Sequence, residues 1–401
     1  MKKKSACLLL ILTLVLLLTG CWNRRELNEL AIVVGLGIDK QGDRFRVSVQ
    51  VVDPGAVSSK KGGSQGAPAT LYTDEADTIF EAIRKITTIS PRKMYFSHLR
   101  ICVIGESVAT EGMAKSLDLL SRDNEFRSDF YLVVTKDNSA EDTLKMMTPL
   151  VPIPANNLFS SLESSEKNWS PSTTVTLDEL IAALTSEGRQ PVLTGLRIVG
   201  NKEMGESSSN AKMIEPPVLL QYSGLAVFRK DKLIGWLNET ESRGYSFILG
   251  KVQSSVGFAA CPGGGKVVTE SIRTQTSMKG SVNRKEPQIH IKVRVEANVG
   301  EVECNSLDLT KASTIYDIEK REEEKIEEIM QSTVRKAQKL YKADIFGFGE
   351  AIHRADPKAW KTLKKNWDLE HFADLPVHIK VDFKIRRLGT VGSSFIQDLK
   401  K

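Results

Sequence analysis

The chain has 401 residues, 41% of them hydrophobic and 26% charged, with a formal charge of +6 at neutral pH. That length exceeds what one hydrophobic core serves, so two or three domains are expected. Lys and Arg are interleaved with Asp and Glu along the chain instead of gathering in a block, which argues against nucleic acid or anionic lipid as a partner.

The first segment is the most telling. Lys2, Lys3 and Lys4 precede an almost purely aliphatic run from Ala6 to Leu18, and Leu18-Thr19-Gly20-Cys21 closes it. A basic leader, a short apolar core and a small-residue site form a secretory signal, and the run is too short for the ~20 residues of a membrane span. The ending resembles a bacterial lipobox, which implies cleavage after Gly20 and lipidation of Cys21. Removing residues 1–20 leaves 6 − 3 = +3 on the mature chain.

Beyond the anchor, Ala31 to Ile38 and Arg44 to Val52 flank a turn at Asp39 to Asp43 and read as a hairpin. Ser58 to Ala67, rich in Gly, Ser and Lys, reads as a loop. Ile79, Ile83 and Ile86 then fall at helical spacing. A strand at His98 to Ile104, a helix through Met113 to Leu120, a strand at Phe130 to Thr135 and a helix from Ala140 to Met147 make an α/β alternation. Pro149, Pro152 and Pro154 interrupt it, and Ser160 to Ser172 reads as a long connection. A helix near Leu177 to Thr185 and a strand near Pro191 to Val199 follow. Gly205 to Asn210, with Pro216-Pro217 beyond, reads as a linker.

The second half opens with a hairpin, Gly224 to Phe228 and Leu233 to Leu237. Extended segments follow at Gly250 to Gly257 and Lys266 to Ser277. Strict alternation marks Ile289 to Ala297 and Val377 to Ile385 as half-buried strands. Between them Tyr316 to Tyr341 is a charged helix with Ile326, Ile329, Met330, Val334 and Ala337 on one stripe. The whole predicts a multidomain α+β protein with largely antiparallel sheets behind the signal. The expected units are 1–20 (signal), 21–205, 206–280 and 281–401.

Chemistry is harder to find than structure. Gly35-Leu36-Gly37 has Lys40 where a dinucleotide fingerprint needs glycine, and Gly264-Gly265-Lys266 lacks the hydroxyl of a P-loop. Gly105-Glu106-Ser107-Val108-Ala109 misses the last glycine of a nucleophile elbow, and the S-x-x-K matches at Ser58 and Ser164 have no companion motifs. His98, His290, His353, His371 and His378 show no paired ligand spacing. Asn238-Glu239-Thr240 is a sequon without consequence behind a lipobox. No catalytic residue, cofactor site or metal site is assigned. Cys102 lies in an apolar run and reads as a core thiol. Cys261 and Cys304 could pair, which spacing alone cannot decide.

Several strings carry a family resemblance instead. Cys21-Trp22-Asn23-Arg24-Arg25-Glu26-Leu27-Asn28-Glu29-Leu30-Ala31, running on to Gly35-Leu36-Gly37-Ile38-Asp39-Lys40, resembles the opening of the Ger(x)C family. The likeness continues through Tyr95 to Leu99, Arg122 to Arg127, Gly224 to Phe228 and Lys232 to Leu237. It ends with Gln338, Asp344-Ile345-Phe346-Gly347-Phe348-Gly349 and Pro357 to Lys361. Asn23 stands where relatives often have Asp.

This resemblance implies the C-subunit lipoprotein of a spore nutrient germinant receptor. The protein would be tethered through Cys21 to the outer face of the spore inner membrane and act with integral-membrane A and B subunits, without enzymatic activity. It also implies three mixed α and β domains. A lipid-anchored solute-binding protein that captures the nutrient itself is the alternative, and an envelope hydrolase a more distant one. Trp236, Trp360 and Trp367 are expected in the core, with a partner interface as the other use of such residues.

Overall fold

The computed structural model describes residues 29–52, 67–261, 264–284, 286–304 and 307–389. The signal segment, Gly20 and Cys21 lie outside them, as does the glycine-rich loop up to residue 66.

Strands β1 (Leu30–Gln41) and β2 (Arg44–Val52) pair antiparallel across a turn in which Gly42 takes φ +60°, as the hairpin reading requires. β3 (Ala69–Ala76) adds outside β2. Helix α1 (Ile79–Lys85) leads to β4 (Lys93–Tyr95) and β5 (Ile101–Ile104), both parallel to β1. Helices α2 (Glu106–Glu111) and α3 (Ala114–Arg122), β6 (Tyr131–Thr135) and α4 (Ala140–Lys145) continue the alternation. Then come α5 (Pro154–Asn168), α6 (Leu177–Thr185), β7 (Val192–Gly200), α7 (Lys202–Gly205), β8 (Val218–Arg229) and β9 (Lys232–Leu237).

These strands form one mixed sheet in the order β3-β2-β1-β5-β6-β7-β8-β9, with β4 beside β1. Its centre is parallel and its flanks antiparallel. Both faces are covered, which is why β1 and β5 read as near-continuous apolar runs. Ile79, Ile83, Met113, Leu117 and Leu180 pack one face. Leu144, Ala155, Leu158 and Leu162 pack the other.

The second sheet has four strands, β10 (Ser255–Ala260), β11 (Lys266–Asn283), β12 (Glu286–Val302) and β13 (Val377–Arg387), in that order. β8 and β9 thus belong to the first sheet, and β11 runs through residue 280 without a break. Helix α8 (Glu239–Leu249) precedes the second sheet. Helices α9 (Ala312–Lys336), α10 (Phe348–Ala355) and α11 (Pro357–Leu363) lie between β12 and β13. That excursion lets β13 return parallel to β12, whereas the others pair antiparallel. Cys261 and Cys304 form a disulfide with Cα atoms 5.9 Å apart, tying the end of β10 to the end of β12. Cys102 is free and buried, as expected.

Two segments differ from the sequence reading. Ser160 to Ser172, expected as a connection, is helical as far as Asn168. Pro154 sits at the first helical position, where its missing N–H costs nothing, and the serines face outward while Ala155, Leu158 and Leu162 are buried. Helix α8 was hidden behind the sequon: the Asn238 side chain accepts from the Glu241 amide, and the Glu241 carboxylate accepts from the Asn238 amide, a reciprocal cap. The expected linker is also pinned, because the Asn210 amide group donates to Met147 and Val218 carbonyls and accepts from the Val218 N–H.

α9 touches both edge strands of the second sheet, so that sheet curls around it. Edge strands present unpaired amides that invite further pairing. Here Glu327, Glu323 and Glu319 accept from the N–H groups of Val381 (2.9 Å), Phe383 (3.2 Å) and Ile385 (2.9 Å). Four helical residues rise about 6 Å and two strand residues about 6.7 Å, so glutamates four apart reach amides two apart in register. Opposite, Arg321 donates to the Ala260 carbonyl on β10. The helix therefore occupies the place of a closing strand. Glu327→Ala is expected to cost about 1–2 kcal/mol in chemical denaturation and to speed amide exchange at Val381. An exchange rate unchanged at that amide counts against the ladder.

Candidate functional site

The first family string lies in the middle of β1. Gly35 and Gly37 let α4 and α5 close on the strand: a Cβ on Gly35 would come 2.8 Å from that of Ala155, and one on Gly37 3.1 Å from Leu144. Asp39 is buried and accepts from the N–H groups of Ala140 (2.8 Å) and Glu141 (2.9 Å), the positive end of α4. Burial still pushes its carboxyl above the usual range. Beside it Glu141 joins Arg46 and Lys145, and Arg46 also meets Glu75. The strings at 95–99 and 122–127 meet through Phe96 stacked on Phe126 at 4.5 Å. All of these residues hold the first sheet together.

The C-terminal strings build the joint between the sheets. Asp344 is wholly buried and accepts from the amides of Phe346 (3.2 Å), Phe348 (3.1 Å) and Gly349 (2.7 Å) and from the Trp367 indole (2.8 Å). Gly347, at φ +76°, gives the backbone the left-handed turn that points those amides inward. Trp360 and Trp367 are buried edge to face at 5.0 Å, the core role expected of them. Trp236 is half-buried, with its backbone N–H and C=O both bonded to the Tyr341 hydroxyl.

Five consecutive residues between α6 and β7 receive this unit. Ser186 donates to Glu350 at 2.8 Å, and Glu187 pairs with Lys364 at 2.8 Å. A Cβ on Gly188 would lie 2.7 Å from the backbone of Gly349, so the two chains touch glycine to glycine. Arg189 lies beside Tyr245, Glu350 and Asp344. Gln190 donates its amide N–H to the Asp344 carbonyl and its side chain to Asp368, and accepts from the Lys230 N–H in the β8–β9 turn. Asp368 in turn accepts from the Asp344 N–H. Sequence reading singled out Asp344 but passed over Ser186 to Gln190, whose only signal is a glycine in a polar turn.

The remaining sequence motifs occupy structural positions. Ser107 of the elbow-like string, in the first turn of α2, donates to the Lys40 carbonyl near the end of β1. His290 and His378 stack at 4.9 Å on a solvent-facing strand pair. Among the described residues no group of three or more His, Cys, Asp or Glu is placed to hold a metal, and no helix is long and apolar enough to cross a membrane. A cleft of about 620 Å³ lies between Lys40, Phe45, Phe80, Lys115 and Asp231. Cys21, the expected lipidation residue, and Gly20, the expected cleavage residue, lie outside the described residues.

Two matching regions define the class, that of spore germination proteins. Residues 23–198 match the spore germination protein N-terminal domain, and residues 223–389 match the C-terminal domain described as spore germination B3/GerAC like. The chain belongs to this GerAC-like C-subunit family. It is 33% identical to spore germination protein KC of Bacillus subtilis (strain 168), over 96% of each chain. It is 24% identical to spore germination protein B3 of the same organism, over 94% of this chain and 96% of the relative. The crystal structure of the GerBC protein shares the fold with TM-score 0.53 and 20% identity, across 88% of this chain and 96% of that one.

Burial, against the pull of its four donors, pushes the Asp344 carboxyl from 3.8 to about 7. The folded state then keeps a proton that the unfolded chain has lost. Stability from this group is full below pH 3.8 and disappears as pH rises through about 7. The melting temperature of the chain from Asn23 to Lys401 should fall between about pH 4 and pH 7, and Asp344→Asn should flatten that fall; Glu322, also raised by burial to about 7, and Asp39 and Asp368, both raised by burial, sustain the remainder. A slope untouched by Asp344→Asn refutes the assignment.

Proposed function

We propose that this chain is the lipid-anchored, non-enzymatic accessory subunit of a spore nutrient germinant receptor. It acts beside integral-membrane A and B subunits on the outer face of the spore inner membrane. The observation that carries this reading is the pair of germination-family regions, in order, over nearly all of the chain that follows Cys21. The Lys2-to-Cys21 signal supports the anchor, since two or more acyl chains hold a protein at a bilayer far longer than one. An anchored subunit stays at high effective concentration beside its partners.

Cys21→Ala is expected to leave an unprocessed precursor and to slow nutrient-triggered germination in spores. Mass spectrometry of the wild-type chain should find acylation at residue 21, and an unmodified thiol there overturns the anchor. The solute-binding alternative is separated by ligand-dependent melting. A nutrient at a hundredfold excess over Kd would stabilise the folded chain by about 2.7 kcal/mol. Amino acids, sugars and nucleosides are expected to leave the melting temperature of the chain from Asn23 to Lys401 unmoved, and a saturable, stereospecific rise with one of them would make this subunit the sensor.

A further inference from the structure

The second sheet has one face against helices and one against solvent. Ile289, Ile291, Val293 and Val295 of β12 point inward to Met330, Phe346, Phe348 and their neighbours. The residues between them point outward, and the same is true of β11 and β13. Interleaving that looks dispersed along the sequence therefore becomes concentration on one face, because a strand alternates sides at every residue. Linear charge spacing, on which the expectation against an anionic lipid partner rests, does not register this placement.

Strand register sets the pattern. Lys279 stands opposite His290, and His290 opposite His378; in the adjacent row Ser277 stands opposite Lys292, and Lys292 opposite Lys380. All of these side chains are exposed except for the stacking of the two imidazoles on each other. Neither row contains an acid. Farther along, Arg294 and Arg386 are matched by Asp382 and Glu296, whereas among the described residues Lys279, Lys292 and Lys380 make no ion pair. Like charges directly opposite on a sheet are destabilising. A groove of about 650 Å³ opens on these rows, bounded by Lys292, Arg294, Lys380, Tyr316 and Lys320 together with Glu323, which accepts from the Phe383 N–H, and Asp382, which pairs with Arg294.

We infer that this face docks on an anionic membrane surface, with Lys279, Lys292 and Lys380 contacting phospholipid phosphates and the groove receiving a headgroup. Charge complementarity selects the occupant: the face is broad and extended, its free charges are lysines suited to mobile phosphates, and Tyr316 offers an amphipathic rim. The contact is separate from the Cys21 tether. It orients a chain that the tether, in the reading above, merely retains.

The test uses the chain from Asn23 to Lys401, which carries no lipid and contains every described residue. It is expected to sediment with phosphatidylcholine vesicles doped with phosphatidylglycerol, but not with pure phosphatidylcholine, and to be released at about 0.5 M salt, where charges are screened within a few ångströms. The triple variant Lys279→Gln, Lys292→Gln, Lys380→Gln should bind about 100-fold more weakly, with an unchanged or higher melting temperature. A control triple at exposed Lys115, Lys167 and Lys212 should bind within a few-fold of wild type. Equal losses in the two triples, or undiminished binding by the first, overturn the proposal. So does retention on oligoglutamate without vesicle binding, which would point to an acidic protein partner. Loss of acylation at Cys21 would leave this result untouched, so the two readings fail separately.

Discussion

A single buried carboxylate organises the joint on which the rest of the molecule depends. Asp344 has no solvent to satisfy it, so its lone pairs must be met by protein donors, and the Asp344-to-Gly349 turn is folded tightly enough to supply three amides. The same turn brings Gly349 against Gly188 and sends the Asp344 carbonyl to Gln190. A side chain at either glycine would separate the surfaces, and loss of the carboxylate would leave several buried donors unpaired, each at about 1–3 kcal/mol. The string that marks the family is thus a device that locks the second sheet and its helices onto the first.

The second sheet solves a different problem with similar economy. Four strands curled around a helix leave two open edges, and α9 meets both, with carboxylates toward the amides of β13 and Arg321 toward a carbonyl of β10. The Cys261–Cys304 disulfide closes the end of the same sheet away from the joint. In this way α9 has three faces with three tasks: Ile326, Met330 and Val334 enter the core, Glu319, Glu323 and Glu327 guard an edge, and Lys336 reaches Glu241 at the start of α8. A helix so committed is a positioning element. Its outer neighbours on β11, β12 and β13 remain free to face a surface.

Much of this was legible in the residues. Period-two alternation marked β12 and β13, helical spacing marked α1 and α9, and the α/β rhythm of the first half foreshadowed the parallel centre of its sheet. What escaped did so for local reasons. Serines on an exposed face disguised α5, because polar periodicity is invisible where a buried stripe is only Ala155, Leu158 and Leu162. Asn238 looked like a sequon and is a helix cap. Ser186 to Gln190 carry no periodicity at all, since their role comes from distant residues, Lys230 and Tyr245 and, more than 150 positions away, Asp344, Gly349, Glu350, Lys364 and Asp368. The basic face needed strand register, which no single segment displays.

The measurement that bears most directly on the joint is native-state hydrogen exchange of the chain from Asn23 to Lys401. The amides of Phe348 and Gly349 bond to the Asp344 carboxylate, that of Gln190 to the Asp344 carbonyl and that of Lys230 to the Gln190 side chain. If one network joins the sheets, these four amides open in a common event, with the same free energy and the same denaturant dependence. Exchange of Gln190 and Lys230 through a separate, low-energy opening while Phe348 and Gly349 stay protected would show two independent bodies, and would contradict the role assigned to Asp344.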